Sequence, residues 1–343
     1  MLPTKLKLMG GGVDFKIPNV SYCDDVKDVH YNPYNLIEFY VGDITGTTPQ
    51  TVSIYTDLNT SIDVEVSEGN KWYSYVLPKD KGLCKIVNIV SDGDNLESVN
   101  VMKTIVKANI NYSYDEDSAF GNSIPMTTVE ASFKGSNTSN VTTMENMFFY
   151  CTSLTSLDVS SFNTSNVTSM NGMFNYCSGL TSLDISNFDT SNVTSMNSMF
   201  NGCSGLTSLV LSNFKTSNVT DMGGMFSECE NLTSLDVSNF DTSNVTYALG
   251  MFSHCSSLES LDLSGWNTRK LDNMSSMFRG CRGLTLLDLS GWDMSNSGDI
   301  SSMFIDCAAL KTIKMIGCSG ATINKIKERL TESNITGVTI VTE

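Results

Sequence analysis

A 26-residue unit recurs without insertion through more than half of this chain, and that period constrains the fold more than any other feature. A cysteine marks each copy: Cys151, Cys177, Cys203, Cys229, Cys255, Cys281 and Cys307. Seven units held in phase predict the stacked coils of a solenoid, in which each unit touches only its neighbours.

Inside each unit a Phe stands three residues before the Cys, from Phe148 to Phe304, and a Met four before it. Offsets of three and four lay one apolar stripe along about two turns of helix. The Asn ahead of each Val (Asn140, Asn166, Asn192, Asn218, Asn244), or its Thr-Ser neighbours, reads as the N-cap of that helix. After the Cys the spacing becomes LxxLxL, as in Leu154, Leu157 and Val159, which predicts a short strand buried on one face. An aromatic then closes the core at Phe162, Phe188, Phe214, Phe240, Trp266 and Trp292. Each turn is thus predicted as one short strand, one corner and one short helix, an α/β leucine-rich-repeat solenoid.

The sentence TSLDISNFDTSNVTSMNSMFNGCSGL resembles the leucine-rich repeat of BspA-like bacterial surface proteins, over about residues 124–318. That resemblance implies a solenoid displayed on a surface and used for adhesion to, or recognition of, host and matrix partners. It also makes the strand face the default binding surface.

Ahead of the repeats the texture differs. Residues 1–33 are polar and irregular, either an arm that docks on something larger or a frayed terminus. Residues 34–114 hold short β-branched runs (YNLIEFYV, QTVSIYT, SIDVEV, KWYSYVL, LCKIVNIV, ESVNVM, IVKANINY) separated by turn residues. These predict an all-β sandwich of immunoglobulin-like kind, with Trp72 or Tyr73 as its core aromatic. Residues 115–136 read as a linker and degenerate first turn, in which TVEASFKGSNTSNV matches TSLDVSSFNTSNV with one residue inserted. The solenoid proper covers 137–318, and 319–343 read as a C-terminal cap containing an amphipathic helix and a last strand.

Formal charge is −16 and the pI about 4.4, which argues against a general binder of nucleic-acid phosphates. No apolar run is long enough to span a bilayer, and the first residues lack the apolar core of a signal peptide. Two locations follow as expectations: the cell surface, or a phage virion, whose parts assemble inside the bacterium and need no leader. In the second case residues 1–114 would attach to a virion or envelope lattice.

No phosphate loop, metal-binding helix or serine elbow is present, so neither a catalytic residue nor a cofactor or metal site is expected. His254 abuts Cys255, but adjacent side chains on a helix diverge by about 100° and make a poor nucleophile pair. The seven repeat cysteines read as reduced core thiols rather than disulfides, because their number is odd and they lie on the buried stripe.

Two surfaces are candidate binding sites for a protein or glycan on a host surface. The strand face carries Ser156, Asp158, Ser182, Asp184, Ser208, Ser234, Asp236, Ser260, Asp262 and Asp288. Its carboxylates, one rung apart, either repel enough to raise their proton affinity or recruit a cation, or are solvated repeat positions. The second surface is a cluster of cations, Arg269, Lys270, Arg279 and Arg282, suited to an acidic partner.

Overall fold

The computed structural model describes residues 5–7, 35–44, 50–56, 61–66, 71–77, 86–92, 99–107, 128–133, 136 and 138–343; before residue 129, Tyr73 is the one side chain described. The chain groups into two compact units. One comprises Met1–Asp115, Asn122–Asn140 and Cys151–Phe162; the other comprises Glu116–Gly121, Val141–Tyr150 and Asn163–Glu343.

The first unit is built of β1 (Lys5–Lys7), β2 (Asn35–Ile44), β3 (Gln50–Thr56), β4 (Ser61–Val66), β5 (Lys71–Leu77), β6 (Ile86–Asp92), β7 (Val99–Lys107), β8 (Thr128–Ser132) and β9 (Ser156–Asp158). They form two sheets, ordered β1-β4-β3-β6 and β5-β2-β7-β8-β9. The runs ESVNVM and IVKANINY, expected as separate strands, contribute to the single strand β7, which pairs with β2 along its length. In an immunoglobulin sandwich the last two strands are neighbours in one sheet. Here β6 and β7 lie in different sheets, because β7 runs between β2 and the parallel strand β8. Face-to-face packing of a sandwich would rest on side chains that, apart from the buried Tyr73, lie outside the described residues. Of the arm 1–33, β1 is described, parallel to β4; the rest, and most of 115–136, also lie outside.

β8 and β9 pair one full repeat apart: Glu130 with Ser156, Ala131 with Leu157, Ser132 with Asp158. No residue is therefore inserted in TVEASFKGSNTSNV. Ala131 stands for the repeat Leu, Phe133 for the Val, and Phe133 packs edge-on against Phe162 at 5.4 Å.

In the second unit the Val-Met-Met-Phe-Cys positions are fully buried in coil after coil, as the apolar stripe requires, but the segment is not a helix. Left-handed backbone recurs five residues and one residue before each Cys: Gly172 and Tyr176, Ser198 and Gly202, Gly224 and Glu228, Gly250 and His254, Ser276 and Gly280, with φ between 55° and 73°. A left-handed residue every fourth position breaks the i to i−4 pattern of a helix. Alternate amides instead donate to carbonyls of the next coil: Met170 to Ser195 O, Gly172 to Asn197 O, Phe174 to Met199 O, Tyr176 to Asn201 O. The intervening amides close tight turns, as Met173 does on Met170 O. An unbroken row of parallel bridges follows, Thr143–Ser169–Ser195–Asp221–Tyr247–Asn273–Asp299.

This turned segment is the continuous ladder, whereas the Leu edge is the looser one. Regular strands occur there at β10 (Ser260–Asp262), β11 (Leu286–Asp288) and β12 (Thr312–Lys314), at which Ser260, Leu286 and Thr312 stand in register. In the middle coils the Leu edge forms no regular strand. Inside, Phe148, Phe174, Phe200, Phe226, Phe252, Phe278 and Phe304 stack with centroids 5.4–6.0 Å apart and ring planes within 13°. Each stacked pair contributes about 0.5–1.5 kcal/mol beyond its burial.

Polar groups tie the coils where the core ends. Buried threonines donate to the next coil, Thr164 to Asp189 O at 2.9 Å and Thr216 to Asp241 O at 3.0 Å. The Asn residues read as N-caps instead reach back: Asn192, Asn218 and Asn244 donate to the carbonyls of Ser165, Ser191 and Ser217 at 2.7 Å. With no helix to cap, their amides span two coils.

ATINKIKERLTESN contributes to α1 (Gly320–Glu332), capped by Ser319 Oγ, which accepts from Thr322 N at 3.1 Å. Ile326 and Leu330 are buried, and Thr322 Oγ1 accepts from Met294 N at 3.2 Å. Because the carbonyls of a helix are bonded within it, α1 offers the ladder no row of acceptors. A final strand, β13 (Thr339–Val341), pairs parallel with β12.

Candidate functional site

The exposed Asp of the Leu edge is a turn-former. Asp158 Oδ1 accepts from Ser160 N at 3.0 Å and from Ser160 Oγ at 2.6 Å. Asp184 with Ser186 repeats the pair at 3.0 and 2.7 Å, as does Asp236 with Ser238. Asp262 and Asp288 accept from the amides of Ser264 and Ser290. An Asp that bonds the backbone two residues on is a preorganised turn, so this carboxylate shapes the corner leaving the edge.

Of the readings open for these carboxylates, a rise in proton affinity is not the one that Asp236 and Asp288 follow. Hydrogen bonds from Ser238 hold Asp236 below the usual carboxylate value. At Asp288 partial burial pulls upward, but the Ser290 hydrogen bonds and Lys314, whose Nζ lies 3.3 Å away, outweigh it and the net shift is downward. Hydrogen bonds that favour the charged form set the direction of the shift. Among the described residues no group of three or more His, Cys, Asp or Glu is placed to hold a metal.

Ser182, Asp184, Ser208, Ser234, Asp236, Ser260 and Asp262 are all exposed in the second unit, with Asp288 half-buried. Ser156, exposed, and Asp158, half-buried, lie in the first unit. The series is interrupted by Val210, 67% exposed, and by Lys314, which stands in register with Asp288.

The four cations stand at two corners of one coil. Arg269 and Lys270 occupy the corner before the bridge row, where Arg269 Nε lies 3.4 Å from Asp293 and Lys270 Nζ donates to Asn244 Oδ1 at 2.7 Å. Arg279 and Arg282 flank Cys281 at the following corner, both exposed.

The repeat thiols are reduced and buried. Each from Cys177 to Cys307 donates to the carbonyl of the Phe 29 residues earlier, Cys177 to Phe148 O at 3.1 Å and Cys307 to Phe278 O at 2.8 Å. Burial pushes Cys151 and Cys307 up to about 12 and Cys203, Cys229, Cys255 and Cys281 well above the ordinary thiol. Cys255 points at Phe226 O, while the ring of His254 lies against Gly280 of the next coil, where a Cβ would fall 2.5 Å from Nδ1.

One feature is hard to see in the sequence. The residue before each repeat Cys, left-handed in every coil, is Tyr150, Tyr176, Gly202, Glu228, His254, Gly280 and Asp306 in turn. The Tyr150 and Tyr176 rings meet at 4.9 Å, tilted by 36°, and Tyr176 Oη lies 3.3 Å from Glu228 Oε2, two coils on. Two tyrosines at a position that elsewhere holds Gly, Glu, His or Asp are the available signal.

Parallel coils in phase with the repeat, LxxLxL edges, a buried aromatic stack and polar corners define a leucine-rich-repeat-like β-solenoid. Its repeats match, over residues 115–210 and 205–315, the family described as "Mycoplasma protein of unknown function, DUF285", and the chain belongs to that family. No curated protein matches the chain. Among solved structures, similarity is found to one described as "Crystal structure of TLR13-ssRNA13 complex", with 16% identity and a TM-score of 0.27. That alignment spans 61% of this chain and 32% of the other, so the chain covers about a third of that protein's length. No helix among the described residues is long and apolar enough to cross a membrane.

Proposed function

We propose that this chain is a non-enzymatic recognition and adhesion protein, displayed on a surface, whose solenoid engages a protein or glycan of a host. One observation carries the reading: the exposed hydroxyls and carboxylates of the Leu edge are held in fixed turns, as at Asp184–Ser186 and Asp236–Ser238. Preorganised polar groups on a rigid scaffold bind with little ordering cost. In this reading the N-terminal strands position or attach the solenoid. Charge reversal at Asp184, Asp236 and Asp262, alone and together with Arg269, Lys270, Arg279 and Arg282, tests it. Loss of binding to host cells or a glycan array is expected; unchanged binding by the combined variant sinks the reading.

A second reading is favoured by the reduced thiols. Reduced cysteines suit assembly in a reducing compartment, as for a phage head or tail decoration anchored through residues 1–114. Mass spectrometry of purified particles would find the chain in the virion; its presence in the envelope fraction alone would reject this alternative.

A further inference from the structure

We infer that Tyr150, Tyr176 and Glu228 form a binding site for the basic side chain, arginine or lysine, of a protein partner. Neither backbone nor core explains the tyrosines. Their φ values of 60° and 57° suit glycine, which occupies the same place at Gly202 and Gly280. Tyr150 is 43% exposed and Tyr176 half-buried, so their burial is incomplete. Strained side chains kept at the surface point to a contact made outside the molecule.

The arrangement suits a cation. Phe149, Tyr150 and Tyr176 succeed one another at centroid distances of 5.1 and 4.9 Å, the rings tilted by 53° and 36°. Gly202 leaves room for the Tyr176 ring, since a Cβ there would fall 2.5 Å from it. The phenol thereby crosses that coil and meets Glu228, at 3.3 Å. Aromatic faces carry negative quadrupole density that attracts guanidinium and ammonium groups, and the carboxylate at the end of the row supplies a counter-charge. Burial and the nearby Glu228 both raise the proton affinity of the Tyr176 phenol, consistent with negative potential there. A chain of net charge −16 also draws a basic segment in from a distance. A neutral saccharide would use the rings but gain nothing from the carboxylate or the field. This row is separate from the Leu edge, so failure of that surface leaves it standing.

The test is calorimetric titration of the full chain with a hexa-arginine peptide near physiological salt. Y150G/Y176G installs the residue that two other coils already carry, and Y150S serves as a milder variant should the double one unfold. Either should bind more weakly, about tenfold for the double variant, and E228Q by several-fold. E328Q, which removes the same charge on the exposed side of α1, should bind like the parent. The proposal is overturned if the parent does not bind, if E328Q weakens binding as much as E228Q, if the tyrosine variants bind unchanged, or if the tyrosines capture a neutral oligosaccharide and not the peptide.

Discussion

The Cys203 thiol donates to the backbone carbonyl of Phe174, 3.1 Å away and 29 residues earlier, so one small side chain both fills the core and ties two coils. Removing it leaves a small cavity and takes from the Phe174 carbonyl one of its two donors, Cys177 N at 3.0 Å being the other. Cys203→Ala should cost about 2 kcal/mol in denaturant unfolding. A cost below a few tenths would show that the thiol bond contributes nothing.

The same burial sets a pH dependence. A thiol whose folded value lies above its unfolded one stabilises the fold fully below the unfolded value and loses that contribution as pH rises towards the folded value. For Cys151 and Cys307 the window runs from 9.0 to about 12, and Cys203, Cys229, Cys255 and Cys281 shift in the same direction. Unfolding should therefore be steeply alkaline-sensitive above pH 9. Native protein at pH 8 should resist Ellman's reagent at these thiols and react stoichiometrically once denatured. Rapid labelling of several thiols in the native state would contradict the ladder.

How much of this is legible in the sequence depends on which force each residue reports. Burial is: spacing assigns Phe200, Met199, Cys203 and Val193 to the core, and all four are fully buried. Conformation is not, because offsets of three and four suit a helix and equally a run of tight turns with left-handed residues at Ser198 and Gly202. The ladder that decides between them joins residues a whole coil apart, beyond any local pattern. Asp236 is found as a surface position, but its bond to Ser238 lies in a turn whose geometry spacing does not report. Tyr150 and Tyr176 escape notice because they break the repeat, and a search for repetition attends to what recurs.

The Asp-capped corners predict an acid limit. Ser243 donates hydroxyl and amide hydrogen bonds to Asp241 and lowers its proton affinity, and Ser191 does the same to Asp189. A carboxyl with a depressed folded value stabilises above its unfolded value, near 3.8, and loses that contribution as pH falls further. Melting temperature should therefore drop below about pH 4. Asp241→Asn should retain the turn, as Asn163 does by accepting from Ser165 N at 3.0 Å, and lessen the acid sensitivity; Asp241→Ala should lower stability at pH 7. An Ala variant as stable as the Asn one would remove the turn from the account.

Two glycines separate backbone strain from crowding. Gly202 (φ 70°) and Gly317 (φ 75°) are both left-handed, yet a Cβ at 202 would fall 2.5 Å from the Tyr176 ring, whereas at 317 nothing lies within 4 Å. Alanine at either should cost about 1–2 kcal/mol for the left-handed backbone. Gly202→Ala carries a further penalty, because Tyr176 must leave its place over the coil and give up Glu228. In Y176G that excess should vanish, so the double-mutant cycle between positions 176 and 202 should show a coupling of about 1 kcal/mol or more. Equal costs at 202 and 317, with no coupling, would mean that the ring does not rest on Gly202, and the aromatic row would lose its support.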